Sequence, residues 1–218
     1  FIVSANDVWA VGMAGTTGTA TILHWDGVSW VAALVPAGIT DLFSVFIVPG
    51  GLDGWAVGRG GGANILRWSG TWPAGAWSVF ASPGFARDLR GVFLVSPTDG
   101  WAVGTALPAP PATIFRWDGL GWTDASSGSP TTSDLFSVFM VSQTDAWAVG
   151  AASTIIRWNG ASWTGPMVAP TSGIDYCSIQ MLSGTDGWIA GDVDSTTGEG
   201  LLLRWNGASW TIVRSWVT

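Results

Sequence analysis

Lysine is absent from the 218 residues, and cysteine, tyrosine, histidine and glutamate occur once each, as Cys177, Tyr176, His24 and Glu199. A single cysteine closes no internal disulfide and builds no thiolate metal cluster, so Cys177 is expected to be a buried strand residue. Without lysine, eight basic residues, all arginine, face fifteen carboxylates, and the net charge is −7. That balance argues against nucleic acid and against an anionic membrane surface, both of which attract clustered positive charge. No apolar run approaches the roughly 18 residues of a membrane-spanning helix, and helical periodicity is missing throughout. Phe1 stands where an initiator methionine would, without a signal peptide, which leads us to expect a piece of something longer. Charge is scarce at 11%, whereas apolar residues make up 48% and tryptophan alone contributes 17. Such a chain buries a core rather than remaining disordered.

What is present is one unit written five times. Trp9, Trp55, Trp101 and Trp147 recur every 46 residues and Trp188 follows after 41, each in a segment such as Gly100-Trp101-Ala102-Val103-Gly104. A second segment follows each copy: Leu23-His24-Trp25, Leu66-Arg67-Trp68, Phe115-Arg116-Trp117, Ile156-Arg157-Trp158 and Leu203-Arg204-Trp205. Trp30, Trp77, Trp122, Trp163 and Trp210 close the units, and apolar runs such as Leu42 to Val48 open them. Each unit therefore holds four short strands, A to D, rich in β-branched and aromatic residues. Four strands at this period predict an all-β fold: a five-bladed β-propeller of four-stranded antiparallel blades, one domain over residues 1–218. Asp26-Gly27, Asp118-Gly119, Asn159-Gly160 and Asn206-Gly207 separate strands C and D and predict type I′ hairpins. Blade two has Ser69-Gly70 and an insertion, Trp72 to Gly75, at this place.

The pattern Trp158-Asn159-Gly160-Ala161-Ser162-Trp163 resembles the Asp-box of sialidase-like (BNR-type) propellers. The whole unit is similar to the repeats of photosystem II assembly-factor propellers and of secreted bacterial relatives. The resemblance covers nearly the whole chain and implies the propeller scaffold. It departs where an Asp-box has Ser or Thr two residues before the Asp; here stand His24, Arg67, Arg116, Arg157 and Arg204. Sialidase chemistry, as the resemblance implies it, uses a Tyr nucleophile activated by Glu, with an acid Asp and an arginine triad. Tyr176 and Glu199 come from different loops of the last blade, so no catalytic residue is assigned and a non-enzyme is expected.

The A–B and C–D connections are short and nearly repeated, whereas B–C and D–A connections vary freely, as in 59–63, 105–112 and 192–200. Variable loops on a rigid scaffold carry binding, so a protein or glycan partner is expected on the B–C/D–A face. On that face Asp41, Asp88, Asp134 and Asp175 each precede strand A at the same register. They read either as a ring of carboxylates at the channel mouth, fit for a cation, or as acceptors of backbone N–H groups, the reading their repetition favours. Fifteen tryptophans hold repeated strand positions and read as core; Trp72 is the candidate for an exposed contact. Asp192, Asp194 and Glu199 form a loose calcium-loop pattern lacking its third acid; otherwise no cofactor is expected. Arg67, Arg116, Arg157 and Arg204 late in strand C should each pair with Asp53, Asp99, Asp145 and Asp186 before strand B, with His24 and Asp7 as the fifth pair. Phe1 aligns with Phe93 inside strand A, so Ser215 to Thr218 are expected to complete that strand and close the ring, unless missing residues or another chain complete it.

The functional expectation is a binding or scaffolding module, extracellular or periplasmic and bacterial, with no nucleic acid and no membrane insertion. Two alternatives stand beside it: a lectin-like or carbohydrate-processing propeller, and a structural subunit of an extracellular assembly.

Overall fold

Alternating apolar residues, bounded by glycine-containing turns, give strands because each side chain finds a neighbouring blade on both faces of its sheet. The computed structural model describes residues 1–15, 18–60, 65–80, 88–106, 111–193 and 200–213. Blade one comprises β1 (Ile2–Ser4), β2 (Asp7–Gly12), β3 (Thr21–Trp25) and β4 (Trp30–Ala32). Blade two comprises β5 (Ile39–Ile47), β6 (Asp53–Gly60), β7 (Ile65–Ser69) and β8 (Ala76–Val79). Blade three comprises β9 (Leu89–Ser96), β10 (Asp99–Gly104), β11 (Ile114–Trp117) and β12 (Trp122–Asp124). Blade four comprises β13 (Leu135–Ser142), β14 (Asp145–Gly150), β15 (Thr154–Trp158) and β16 (Trp163–Thr164). Blade five comprises β17 (Tyr176–Ser183), β18 (Asp186–Val193), β19 (Gly200–Trp205) and β20 (Trp210–Ile212). Every blade is an antiparallel sheet with its strands paired in chain order, so the five-bladed propeller expected from the repeat is the observed fold.

The seams between blades are built from the repeated tryptophans. The strand-B indoles of blades one to four pack against the strand-C and strand-D indoles of the next blade. Trp9 meets Trp68 and Trp77 at 4.8 and 5.6 Å, and Trp55 meets Trp117 and Trp122 at 4.6 and 5.4 Å. Trp101 meets Trp158 and Trp163 at 4.9 and 5.2 Å, and Trp147 meets Trp205 and Trp210 at 5.1 and 5.7 Å. Tilted and edge-on aromatic pairs of this kind add about 0.5–1.5 kcal/mol each beyond the area they bury. Strand-C arginines lie over the same rings, Arg116 at 4.5 Å from Trp101 and Arg157 at 4.6 Å from Trp147.

All five expected pairs form. Arg67 and Arg157 hold Asp53 and Asp145 through two bonds of 2.8–3.0 Å, and Arg116 reaches Asp99 at 2.6 Å. Arg204 reaches Asp186 at 3.2 Å, and His24 Nε2 lies 2.9 Å from Asp7. Asp99 is the most enclosed of these carboxylates; burial pushes its carboxyl up even though Arg116 opposes the shift.

The C–D turns differ from the type I′ expectation. Trp25 pairs with Trp30 across four residues, and in each Asp/Asn-Gly turn glycine alone has positive φ, between 91 and 94°. The leading side chain shapes the loop instead: Asp26 Oδ1 accepts N–H from Val28 and Ser29, and Asp118, Asn159 and Asn206 repeat both bonds. A side-chain acceptor two and three residues upstream removes the need for a second left-handed residue. The strand-C indoles then tie these corners to the A–B turns, each donating to a carbonyl there: Ala5, Gly51, Pro97, Gln143 and Gly184. The short turns thus share one end of the propeller, and the variable connections share the other.

Candidate binding mouth of the central channel

Inner strands β5, β9, β13 and β17 surround a channel of about 460 Å³ that also borders on Phe1 and Gln180. Phe1, Phe46, Phe93 and Phe139 stack around it in sequence at 4.7, 4.8 and 4.3 Å. The second residue of each apolar run stands at the mouth. There Phe43, Arg90, Phe136 and Cys177 line a recess of about 280 Å³.

The Arg90 guanidinium lies over the Phe43 ring at 4.4 Å, and its Nε is buried without a hydrogen-bond partner. Its nearest carboxylate, Asp88, is 3.9 Å away. Arg59, at the end of β6, is half exposed; it donates to Asp88 at 2.8 Å, approaches Asp41 at 3.6 Å and flanks Phe43 at 5.8 Å. The mouth therefore offers two guanidinium groups and two aromatic faces, a combination suited to a carboxylate or other planar anion beside an apolar group.

Three of the four mouth carboxylates are engaged between blades, and the fourth, Asp41, meets Arg59 of its own blade. Asp134 accepts the Ala106 N–H at 2.7 Å, and Asp175 accepts the Ala152 N–H at 3.0 Å. Each donor belongs to the B–C connection of the preceding blade. Asp88 takes Arg59 of the preceding blade in the same way, and Arg59 joins it to Asp41. These residues staple one blade to the next; the backbone acceptors expected of them are real for Asp134 and Asp175, but the N–H comes from a neighbour rather than from the residue's own strand.

Two further expectations need correction. Cys177 is exposed at the mouth rather than buried, because its position on the innermost strand faces the channel opening. Its thiol is nevertheless pushed up, first by partial desolvation and then by Asp192 and Asp175. Trp72, expected as an exposed contact, is half-buried: it stacks on His24 at 4.5 Å and meets Trp9 edge-on at 5.7 Å. Imidazole is shorter than the guanidinium found in other blades, and the insertion in blade two brings Trp72 over it.

Tyr176 is buried, with its hydroxyl 2.6 Å from that of Thr171. Asp192 is exposed and its carboxylate accepts the Val193 N–H; Asp194 and Glu199 lie outside the described residues. Ser215 to Thr218, expected to complete blade one, lie outside them too. The residues that sequence reasoning missed are Arg59 and Arg90, together with Phe43 and Phe136. The available signal was that these two arginines stand off the repeated strand-C position.

These features define the class, a five-bladed propeller of a tryptophan-rich repeat with an arginine-bearing channel mouth on its variable-loop end. No family model and no curated protein matches the sequence. Among solved structures, the chain is similar to the SapL1 lectin in complex with α-methyl fucoside, with a TM-score of 0.63 and 16% identity over 98% of this chain and 77% of that one. It is similar to YCF48 from Cyanidioschyzon merolae, with a TM-score of 0.60 and 15% identity over 92% of this chain and 64% of that one. The WD40 propeller domain of Doa1 gives a TM-score of 0.58 and 11% identity over 98% and 80%. At such identities the likeness is one of fold.

Proposed function

We propose that this chain is a non-enzymatic binding or scaffolding propeller that holds an extended protein segment at its channel mouth. The observation that carries the reading is Arg90, whose guanidinium is stacked on Phe43 at the rim of the recess shared with Phe136. An acidic side chain or terminal carboxylate next to an apolar residue is the chemistry that would fill it. Engagement of Asp88, Asp134 and Asp175 by the preceding blades, and of Asp41 by Arg59, supports a reading without acid–base catalysis or a cation. Burial of the Tyr176 hydroxyl supports a reading without a tyrosine nucleophile. The Asp26 and Asp118 loops, with their paired N–H bonds, support kinship with Asp-box repeats. Low charge, acidity and the missing lysine support a setting outside the cytoplasm.

A lectin is less well supported, because the repeated indoles are covered by one another at the seams and present few open faces for a sugar. Binding of a library of acidic-apolar peptides, measured by fluorescence anisotropy, tests the proposal. Arg90→Gln should weaken the best peptide by about tenfold or more, the worth of one charge-assisted contact, with the melting temperature unchanged. Binding of glycans but not peptides, unaffected by Arg90→Gln, would overturn it.

A further inference from the structure

Just after its outer strand, each of blades one to four sets one residue against the seam with the next blade. The backbone N–H of that residue donates to an isoleucine carbonyl early in strand C: Ala33 to Ile22, Phe80 to Ile65, Ala125 to Ile114 and Met167 to Ile155, at 2.8–2.9 Å. The side chains differ. Phe80 meets Trp55 of its own blade at 5.0 Å and Trp117 of blade three at 5.6 Å, edge-on to both. Met167 packs against the core between blades four and five. Ala125 is followed by the turn Ser126–Gly128, which folds in beside it; the buried Ser126 hydroxyl accepts the Ile114 N–H at 3.0 Å. In blade one the residue is Ala33, and a groove of about 470 Å³ lies beside it.

Trp68 and Trp77 of blade two floor this groove. Trp72 and Pro73 of the blade-two insertion line it from one side and Leu34 of blade one from the other. Leu34 is 92% exposed at its lip. Trp68 is the counterpart of Trp117, the indole that Phe80 meets one seam further on. Among the described residues no charged side chain lines the groove, and its one side-chain hydroxyl, that of Ser78, lies 3.5 Å from the Arg67 carbonyl. A sugar would find few polar partners there.

We infer that this groove is a second docking site, separate from the channel mouth, and that it takes an aromatic side chain from a partner polypeptide. Two observations set the occupant. The groove continues the indole surface of the seam between blades one and two, and at the next seam a phenyl ring covers the equivalent surface edge-on, a geometry that aromatic pairs favour. The uncharged lining suits an uncharged residue, because a charge buried there would lack a partner. β4 and β8 are the last strands of their sheets, so an extended segment can lie along either edge while its ring enters the groove.

The test titrates the intact chain with the uncharged peptide acetyl-Ser-Thr-Phe-Thr-Ser-amide, and with the same peptide carrying Ala in place of Phe, while NMR follows the indole N–H resonances. The Trp72 resonance should move with the Phe peptide, and the Ala peptide should bind about tenfold more weakly or worse. Ala33→Phe gives blade one the ring that blade two already carries; it should raise the melting temperature and abolish the Trp72 shift. Leu34→Ser alters an exposed residue, so the variant should fold, yet it should weaken the Phe peptide about threefold or more. Arg90→Gln should leave this binding unchanged, which separates the groove from the mouth. Three results would overturn the inference: equal affinity for the Phe and Ala peptides; a Phe-peptide shift that persists in both Ala33→Phe and Leu34→Ser; and a Trp72 shift produced by methyl glycosides but not by the Phe peptide.

Discussion

Glycine shows how one residue in one motif can carry different constraints. At Gly150 a methyl group would collide with the carbonyl oxygen of Asp134, a backbone atom that cannot rotate away. Gly150→Ala should therefore cost about 3 kcal/mol, as overpacking against fixed atoms does. Gly12 occupies the same motif position with open space around it and without positive φ. Gly12→Ala should be neutral or stabilise by up to about 1 kcal/mol, through the narrower unfolded ensemble. Chemical denaturation of the two variants checks both, and an equal penalty at the two sites would count against this difference in crowding.

At the scale of the element, the C–D hairpin is organised by an acceptor, and its charge makes two of the five blades sensitive to acid. Backbone N–H groups of Val28 and Ser29 hold the Asp26 carboxyl below its ordinary value, and those of Leu120 and Gly121 do the same for Asp118. A depressed carboxyl means that the unfolded chain takes up protons first. Its stabilising contribution is full above the ordinary carboxylate range and fades as the pH falls through the depressed value. Asn159 and Asn206 make the same two bonds without a charge. The double variant Asp26→Asn, Asp118→Asn should keep its stability at neutral pH and lose less of it than the parent below about pH 4, as followed by thermal melts across pH.

Across the whole molecule, the seams set what each repeat contributes. Trp147 is fully buried between blades four and five, so Trp147→Ala should cost about 3–5 kcal/mol. Trp188 sits at the equivalent position in blade five but is only half-buried, and Trp188→Ala should cost roughly 1 kcal/mol. The ring of arginine–aspartate pairs follows the same gradient: Arg204–Asp186, in blade five, is the most exposed, and Arg116–Asp99, between packed blades, the most enclosed.

The sequence by itself determined the blade. Spacing of Trp9, Trp55, Trp101, Trp147 and Trp188, four strands per unit, and the Arg–Asp pairs across strands B and C all follow from contacts within one repeat or with its copy, so periodicity exposes them. The mouth was legible only in part: the register of Asp41, Asp88, Asp134 and Asp175 located it, but not what their carboxylates bind. That depended on the B–C connections of preceding blades, which share no pattern. Arg90 over Phe43, the burial of Trp72 on His24 and the exposure of Cys177 were decided by tertiary structure alone. Each depends on how one blade or insertion sits against the next, which a repeat that looks the same in every copy cannot show.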